Sequence, residues 1–247
     1  MMDAHAHVSN TDYGNIELLI RELDNADIEK CVVVPGGMVD VRKMTLYVTG
    51  ALEPNPSIPN DCVYDAIQKY PNRINGFVCV NPLDEEQAWV TFKDGIHHGC
   101  VGVKLSPLTH KFSFGGDTLE ALADECGKRH FPIYSHSLFH PGVSTSKYGQ
   151  LARRHPKTNF ILGHMGFGPL DVLAIELAAT LPNFYLETSL ACSLAIVEAI
   201  KKAGPEKLIF GSEFPMSTPG IQKLMLKELH LDQEEKIFSE NIRRLLP

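Results

Sequence analysis

The first groups in the chain that could do chemistry are two histidines two residues apart, His5 and His7, in Asp3-Ala4-His5-Ala6-His7. The segment is short and apolar enough for one β-strand, and alternation along a strand turns residues i and i+2 to the same side. Both imidazoles then face one point, and the same alternation places the Asp3 carboxylate on that side, one step deeper. Two neutral imidazoles over a carboxylate make half of a metal site together with its orienting group. Further along, polar residues recur where apolar runs end: Lys104, His136, His164 and Glu213. A lone histidine at such a place is usually a satisfied core or surface residue. The recurrence, rather than any one residue, carries the inference.

These side chains need a scaffold that brings strand ends together. Residues 15–30 carry Ile16, Leu19, Ile20, Leu23 and Ala26 at helical spacing. The run Cys31-Val32-Val33-Val34, stopped by Pro35-Gly36-Gly37, reads as a buried parallel strand. Strands are then expected over 74–80, 100–105, 131–136, 159–164, 183–188 and 207–212, with helices between them. Asn60 is expected to cap a helix running to about Tyr70. Strict alternation of strand and helix implies a parallel sheet, and eight such units in 247 residues close most naturally into a (β/α)8 TIM barrel, distorted and in one domain over 1–247. An open doubly wound sheet is the rival, but no glycine-rich phosphate fingerprint follows the first strand. Residues 38–59 form the least regular stretch. They follow the second strand, so they should emerge at the barrel mouth and influence substrate choice.

Composition narrows the functional classes. The net charge of −7 and the lack of a Lys/Arg block argue against a nucleic-acid partner. No apolar run has membrane-spanning length, and no signal-like start is present. Six cysteines without a C-x-x-C pair, three of them within apolar runs, fit a reduced cytoplasmic protein. The remaining histidines lack strand-end placement, although His110 and His140 follow the fourth and fifth strands closely enough to approach the mouth.

With these motifs in hand, the sequence resembles the amidohydrolase superfamily, in its amidohydrolase-2 branch of metal-dependent hydrolases and decarboxylases. The resemblance spans the chain. It rests on Asp3-Ala4-His5-Ala6-His7, Gly102-Val103-Lys104-Leu105, Ser135-His136, Gly163-His164-Met165-Gly166 and Phe210-Gly211-Ser212-Glu213-Phe214-Pro215. It implies a divalent metal, most often one zinc, held by His5, His7, His136 and Glu213, with His164 beside the water or the substrate. The family's motif at the last strand carries aspartate where this chain has Glu213, whose carboxylate reaches roughly 1.5 Å further. Lys104 has two implied roles: a carboxylated bridge between two metals, or a cation for a substrate carboxylate. The second is preferred, since a free ammonium is repelled by a nearby dication. A lysine extending out of the barrel mouth is the ordinary reading beside both.

The resemblance implies a hydrolase acting on a small-molecule amide, lactone or related carboxylate-bearing substrate, with Glu213 and His164 as catalytic residues. A non-oxidative decarboxylase of an aromatic or unsaturated acid is the alternative. A metal-binding barrel without activity is a third reading, motivated by Glu213. The chain is shorter than decarboxylases of the branch tend to be, which favours hydrolysis. A small-molecule substrate is the expected partner, with a homodimer left open.

Overall fold

The computed structural model describes residues 1–247. Strand β1 (Met2–Val8) pairs in parallel with β2 (Lys30–Pro35), and β2 with β3 (Ile74–Gly76). A second parallel run takes β4 (Val78–Cys79), β5 (Val103–Leu105), β6 (Ile133–Ser135), β7 (Phe160–Leu162), β8 (Phe184–Glu187) and β9 (Leu208–Ile209) in sequence order. The two runs are one barrel. Phe77, between β3 and β4, donates its N–H to Val33, and Val78 donates to Gly102, so β3 and β4 are halves of a single strand. At the other seam Ala6 bridges in parallel to Phe214, and the His7 N–H reaches the Phe214 carbonyl at 2.7 Å. The expected (β/α)8 barrel is the architecture found.

The helices in chain order are α1 (Ile16–Asn25), α2 (Met44–Val48), α3 (Asp61–Lys69), α4 (Glu85–His97), α5 (Pro107–His110) and α6 (Asp117–Arg129). They continue with α7 (Thr145–Arg154), α8 (Val172–Thr180), α9 (Ser193–Ala203), α10 (Pro219–Lys227) and α11 (Asn241–Leu245). Several begin where side-chain oxygens accept first-turn N–H groups, as Asn15 does for Leu18, Asp84 for Gln87 and Asp171 for Ala174. Asn60 does not act this way. Its amide instead spans the Cys79 backbone, accepting from the N–H at 2.9 Å and donating to the carbonyl at 3.0 Å, so it ties the start of α3 to β4.

Two apolar clusters divide the core. Alternate strand residues such as Val33, Val103, Ile133, Phe160 and Phe184 face the helices, while Val32, Phe77, Tyr134, Ile161, Tyr185 and Ile209 face inward. In β1 the phase changes. Ala4 joins the inner cluster and Ala6 the outer one, although the two stand two positions apart, where alternation would put them on one face. The pairing with β2 slips between Asp3 and Ala6, which is the signature of a β-bulge. Simple alternation therefore fails at this strand, and the expected position of Asp3 beneath the imidazoles is corrected. One Asp3 oxygen accepts the backbone N–H groups of His5 and Ser212, both at 3.0 Å, and so joins the first strand to the last. Burial pushes the Asp3 carboxyl up to about 7.

Candidate metal centre and active-site cavity

The strand ends bring His5, His7 and Glu213 together, with one ligand atom from each lying within 4.8 Å of the others. Glu213 Oε2 stands 2.7 Å from His5 Nδ1, and Oε1 stands 3.4 Å from His7 Nε2. The shorter approach lacks hydrogen-bond alignment, which leaves the buried Oε2 without a donor. A second group, His5, His164 and Glu187, shares His5 and meets the same spacing. His136 belongs to neither group. Its ring centre lies 6.4 Å from that of His164, and the residue lines the cavity beside it.

The electrostatics suit a cation held by neutral imidazoles. Burial keeps His5 and His136 well below the usual imidazole range. Burial also opposes ionisation of Glu213, but His5, His164 and His7 outweigh it and hold the carboxyl well below its ordinary value. An orphaned buried carboxylate oxygen facing two imidazoles fits a divalent ion in both donor type and spacing.

Lys104 is 1 % exposed, with its ammonium 3.4 Å from His5 Nε2 and 4.2 Å from the Tyr134 ring centre. Burial pushes it down to about 8, which still leaves it mostly a cation at neutral pH. His164 and Glu213 both adopt left-handed backbone, with φ of 59° each, and Met165 and Leu190 do likewise nearby. Strained φ values concentrated at the strand ends are typical of a site held by its surroundings.

Two buried residues absent from the sequence-based site complete its floor. The Tyr134 hydroxyl donates to Glu187 Oε2 at 2.7 Å and sits 2.8 Å from His5 Nδ1. A signal for them did exist. Tyr134 stands two residues before His136, as His5 does before His7, and Glu187 is a charge inside an apolar strand. Glycines just beyond the adjacent strands β7 and β9 make the room. A Cβ at Gly163 would come 2.2 Å from the Tyr134 hydroxyl, and one at Gly211 would come 2.2 Å from Glu187 Oε1.

Above this floor opens a cavity of about 460 Å³. Its base carries His7, Lys104, His136, His164 and Glu213, and its walls are largely apolar. Met38, Val39, Val41, Met44 and Val48 form part of them, so the irregular 38–59 segment does border the mouth. The sequence profile of the amidohydrolase family matches residues 2–247. The chain belongs to that family.

Solved structures of similar fold include a 2,6-dihydroxybenzoate decarboxylase from Rhizobium. It is 18 % identical, with 99 % of this chain and 97 % of that one covered and a TM-score of 0.66. A probable 2-pyrone-4,6-dicarboxylic acid hydrolase from Acinetobacter baumannii, with citric acid bound, is 18 % identical over 99 % and 98 % of the two chains, with a TM-score of 0.66. A manganese-bound dihydroxybenzoic acid decarboxylase from Polaromonas sp. JS666 is 16 % identical over 99 % and 96 %, with a TM-score of 0.69. No curated protein matches the sequence. No helix of this amidohydrolase is long and apolar enough to cross a membrane.

Proposed function

We propose that this amidohydrolase is a metal-dependent hydrolase of a small molecule that bears one carboxylate beside an amide, lactone or related bond. The observation that carries the reading is the convergence of His5, His7 and Glu213 at the base of a cavity whose lining includes one lysine and no arginine. His5, His7 and Glu213 would hold the ion, zinc being the one proposed, with His136 close enough to the cavity floor to be a further ligand. Such an ion supplies Lewis acidity and a coordinated water acidified to a pKa of about 7.

The chain's own groups do the rest. Lys104 would bind the substrate carboxylate, since a single buried cation at the floor fixes the acidic end of the molecule. The apolar wall from the 38–48 segment would cover the rest of the substrate and exclude water. Glu213 would take the proton from the attacking water at the carboxylate oxygen that the ion leaves free, and return it to the leaving group. His164, at the base beside Glu213, would orient the water or the substrate.

Decarboxylation of an aromatic acid is the second reading, favoured by the same apolar wall above a single lysine. The test loads the full chain with zinc or manganese, measures bound metal by elemental analysis, and screens lactones, cyclic amides and hydroxybenzoates. Water addition without CO2 release supports hydrolysis, and CO2 release transfers the assignment to decarboxylation. A chain that stays metal-free in excess zinc overturns both.

A further inference from the structure

Glu187 is fully buried and its oxygens are already engaged. Oε2 accepts the Tyr134 hydroxyl at 2.7 Å, the Ser189 hydroxyl at 2.8 Å and the His164 backbone N–H at 3.3 Å. Oε1 accepts the Ser189 backbone N–H at 2.6 Å. A carboxylate with this many donors has little left for a cation, although its distances to His5 and His164 would permit one. Its place under His164 points elsewhere.

The direction of these hydrogen bonds determines a proton position. The Ser189 hydroxyl donates its single hydrogen to Glu187 Oε2. The Ser189 oxygen is then free only to accept, and its neighbour is His164 Nδ1 at 2.9 Å. The Ser189 backbone carbonyl, which can never donate, lies 3.3 Å from the same nitrogen. Both contacts require hydrogen on Nδ1. The other ring nitrogen, Nε2, has Glu213 Oε2 at 3.8 Å, and His164 lines the cavity.

We propose that Glu187 and Ser189 are positioning residues that hold His164 as its Nδ1–H tautomer, so that Nε2 is a proton-accepting atom in the cavity beside Glu213. This rests on the reading of that cavity as the reacting site, and it deepens that reading. In the neutral form His164 does not donate to a substrate oxygen. It takes a hydrogen from water or from a substrate hydroxyl, and with Glu213 it presents two acceptors to one space. A group with two hydrogens to give, such as water, is what such a pair selects. The backbone agrees. The left-handed turn at His164 is held by its own N–H donating to Glu187, so one carboxylate sets both the ring's tautomer and the strained turn that aims it.

The test uses the zinc-loaded full chain labelled with 15N-histidine and long-range proton–nitrogen correlation at pH 8, with His164 assigned by its loss in His164→Gln. The expected pattern is a protonated Nδ1 and a bare Nε2. Ser189→Ala should lose this single-tautomer pattern and Ser189→Thr, which keeps the hydroxyl, should retain it. Once a substrate is known, Ser189→Ala should lower kcat about tenfold with little change in KM, the size expected for one lost hydrogen bond. An Nε2–H tautomer or an imidazolium in the wild-type chain overturns the proposal, and so does an unchanged pattern in Ser189→Ala. The wild-type spectrum decides the tautomer even if Ser189→Ala fails to fold. Because it requires no turnover, its outcome is separate from that of the hydrolase assignment.

Discussion

The two ends of the barrel interior are built on opposite principles. At the lower end Val32, Phe77, Ile161, Tyr185 and Ile209 meet Ile242 and Leu245 of α11 in an apolar plug. Towards the mouth the same barrel presents His5, Lys104, Tyr134 and Glu187, all nearly or fully buried. Hydrocarbon at one end needs only a matching shape, and its burial is favourable without any specific partner. Polar groups at the other end are stable only because each satisfies another, as Tyr134 and Ser189 do for Glu187. The lower end thus supplies stability, while the upper end uses some of it to hold reactive groups in place. The two should respond differently to substitution and to pH.

The largest difference is expected at Glu213. Glu213→Gln keeps the shape and removes the base, so turnover should fall roughly 10²–10⁴-fold while metal binding survives at least in part. Kinetics with elemental analysis checks this, and near-wild-type turnover would move the base role to His164. In the plug, Phe77→Ala should cost about 3–5 kcal/mol in urea unfolding, with zinc stoichiometry preserved in the folded fraction. A loss of metal at unchanged stability would break the division between the two ends.

Acid should act through the upper half. His110, at the end of α5, lines a separate, smaller pocket with Asn60 and Cys79; it is buried with neither ring nitrogen partnered, and burial pushes it down to about 4 from 6.5. Below pH 6.5 the unfolded chain takes up a proton that the folded chain refuses until about pH 4. His110 should therefore contribute a loss of roughly 3 kcal/mol across that window, while Asp3, held up at about 7, contributes in the opposite direction and the buried His5 and His136 in the same one. Urea midpoints measured from pH 7 to 4 should fall less steeply in His110→Leu than in the wild-type chain, and an equally steep decline there would assign the acid sensitivity to the other groups. The smallest effect is expected for Gly211→Ala, whose methyl would meet Glu187 Oε1 at 2.2 Å. Since four hydrogen bonds hold Glu187, it cannot swing aside freely, and a cost of about 1–3 kcal/mol is expected in the same unfolding assay. No cost would mean the Glu187 cradle is looser than its contacts imply.

Much of this architecture was legible from local pattern. The apolar run Cys31–Val34 and the helical spacing from Ile16 to Leu23 gave the first βαβ unit, and the same rhythm gave the rest. The strands are shorter than the apolar runs suggested. Regular β4 ends at Cys79, and His164 falls in a turn beyond β7, because strand ends bend where side chains are aimed into the cavity. The convergence of His5, His7 and Glu213 followed from their placement at strand ends in a barrel. Glu187 stands out as a charge within an apolar strand, but nothing local shows that its partner is Tyr134, 53 residues away.

What the sequence determined alone was the order of strands and helices and the kinds of groups at the strand ends, since both depend on periods of two and 3.6 residues. Only the tertiary structure decided which atoms meet. The bulge in β1 removes Asp3 from the line of the imidazoles and gives it to the backbone of Ser212. Closure of the barrel between Ala6 and Phe214 sets Glu213 against His5. A one-residue change of register reverses a side chain's face, and that register is fixed by packing around the whole barrel.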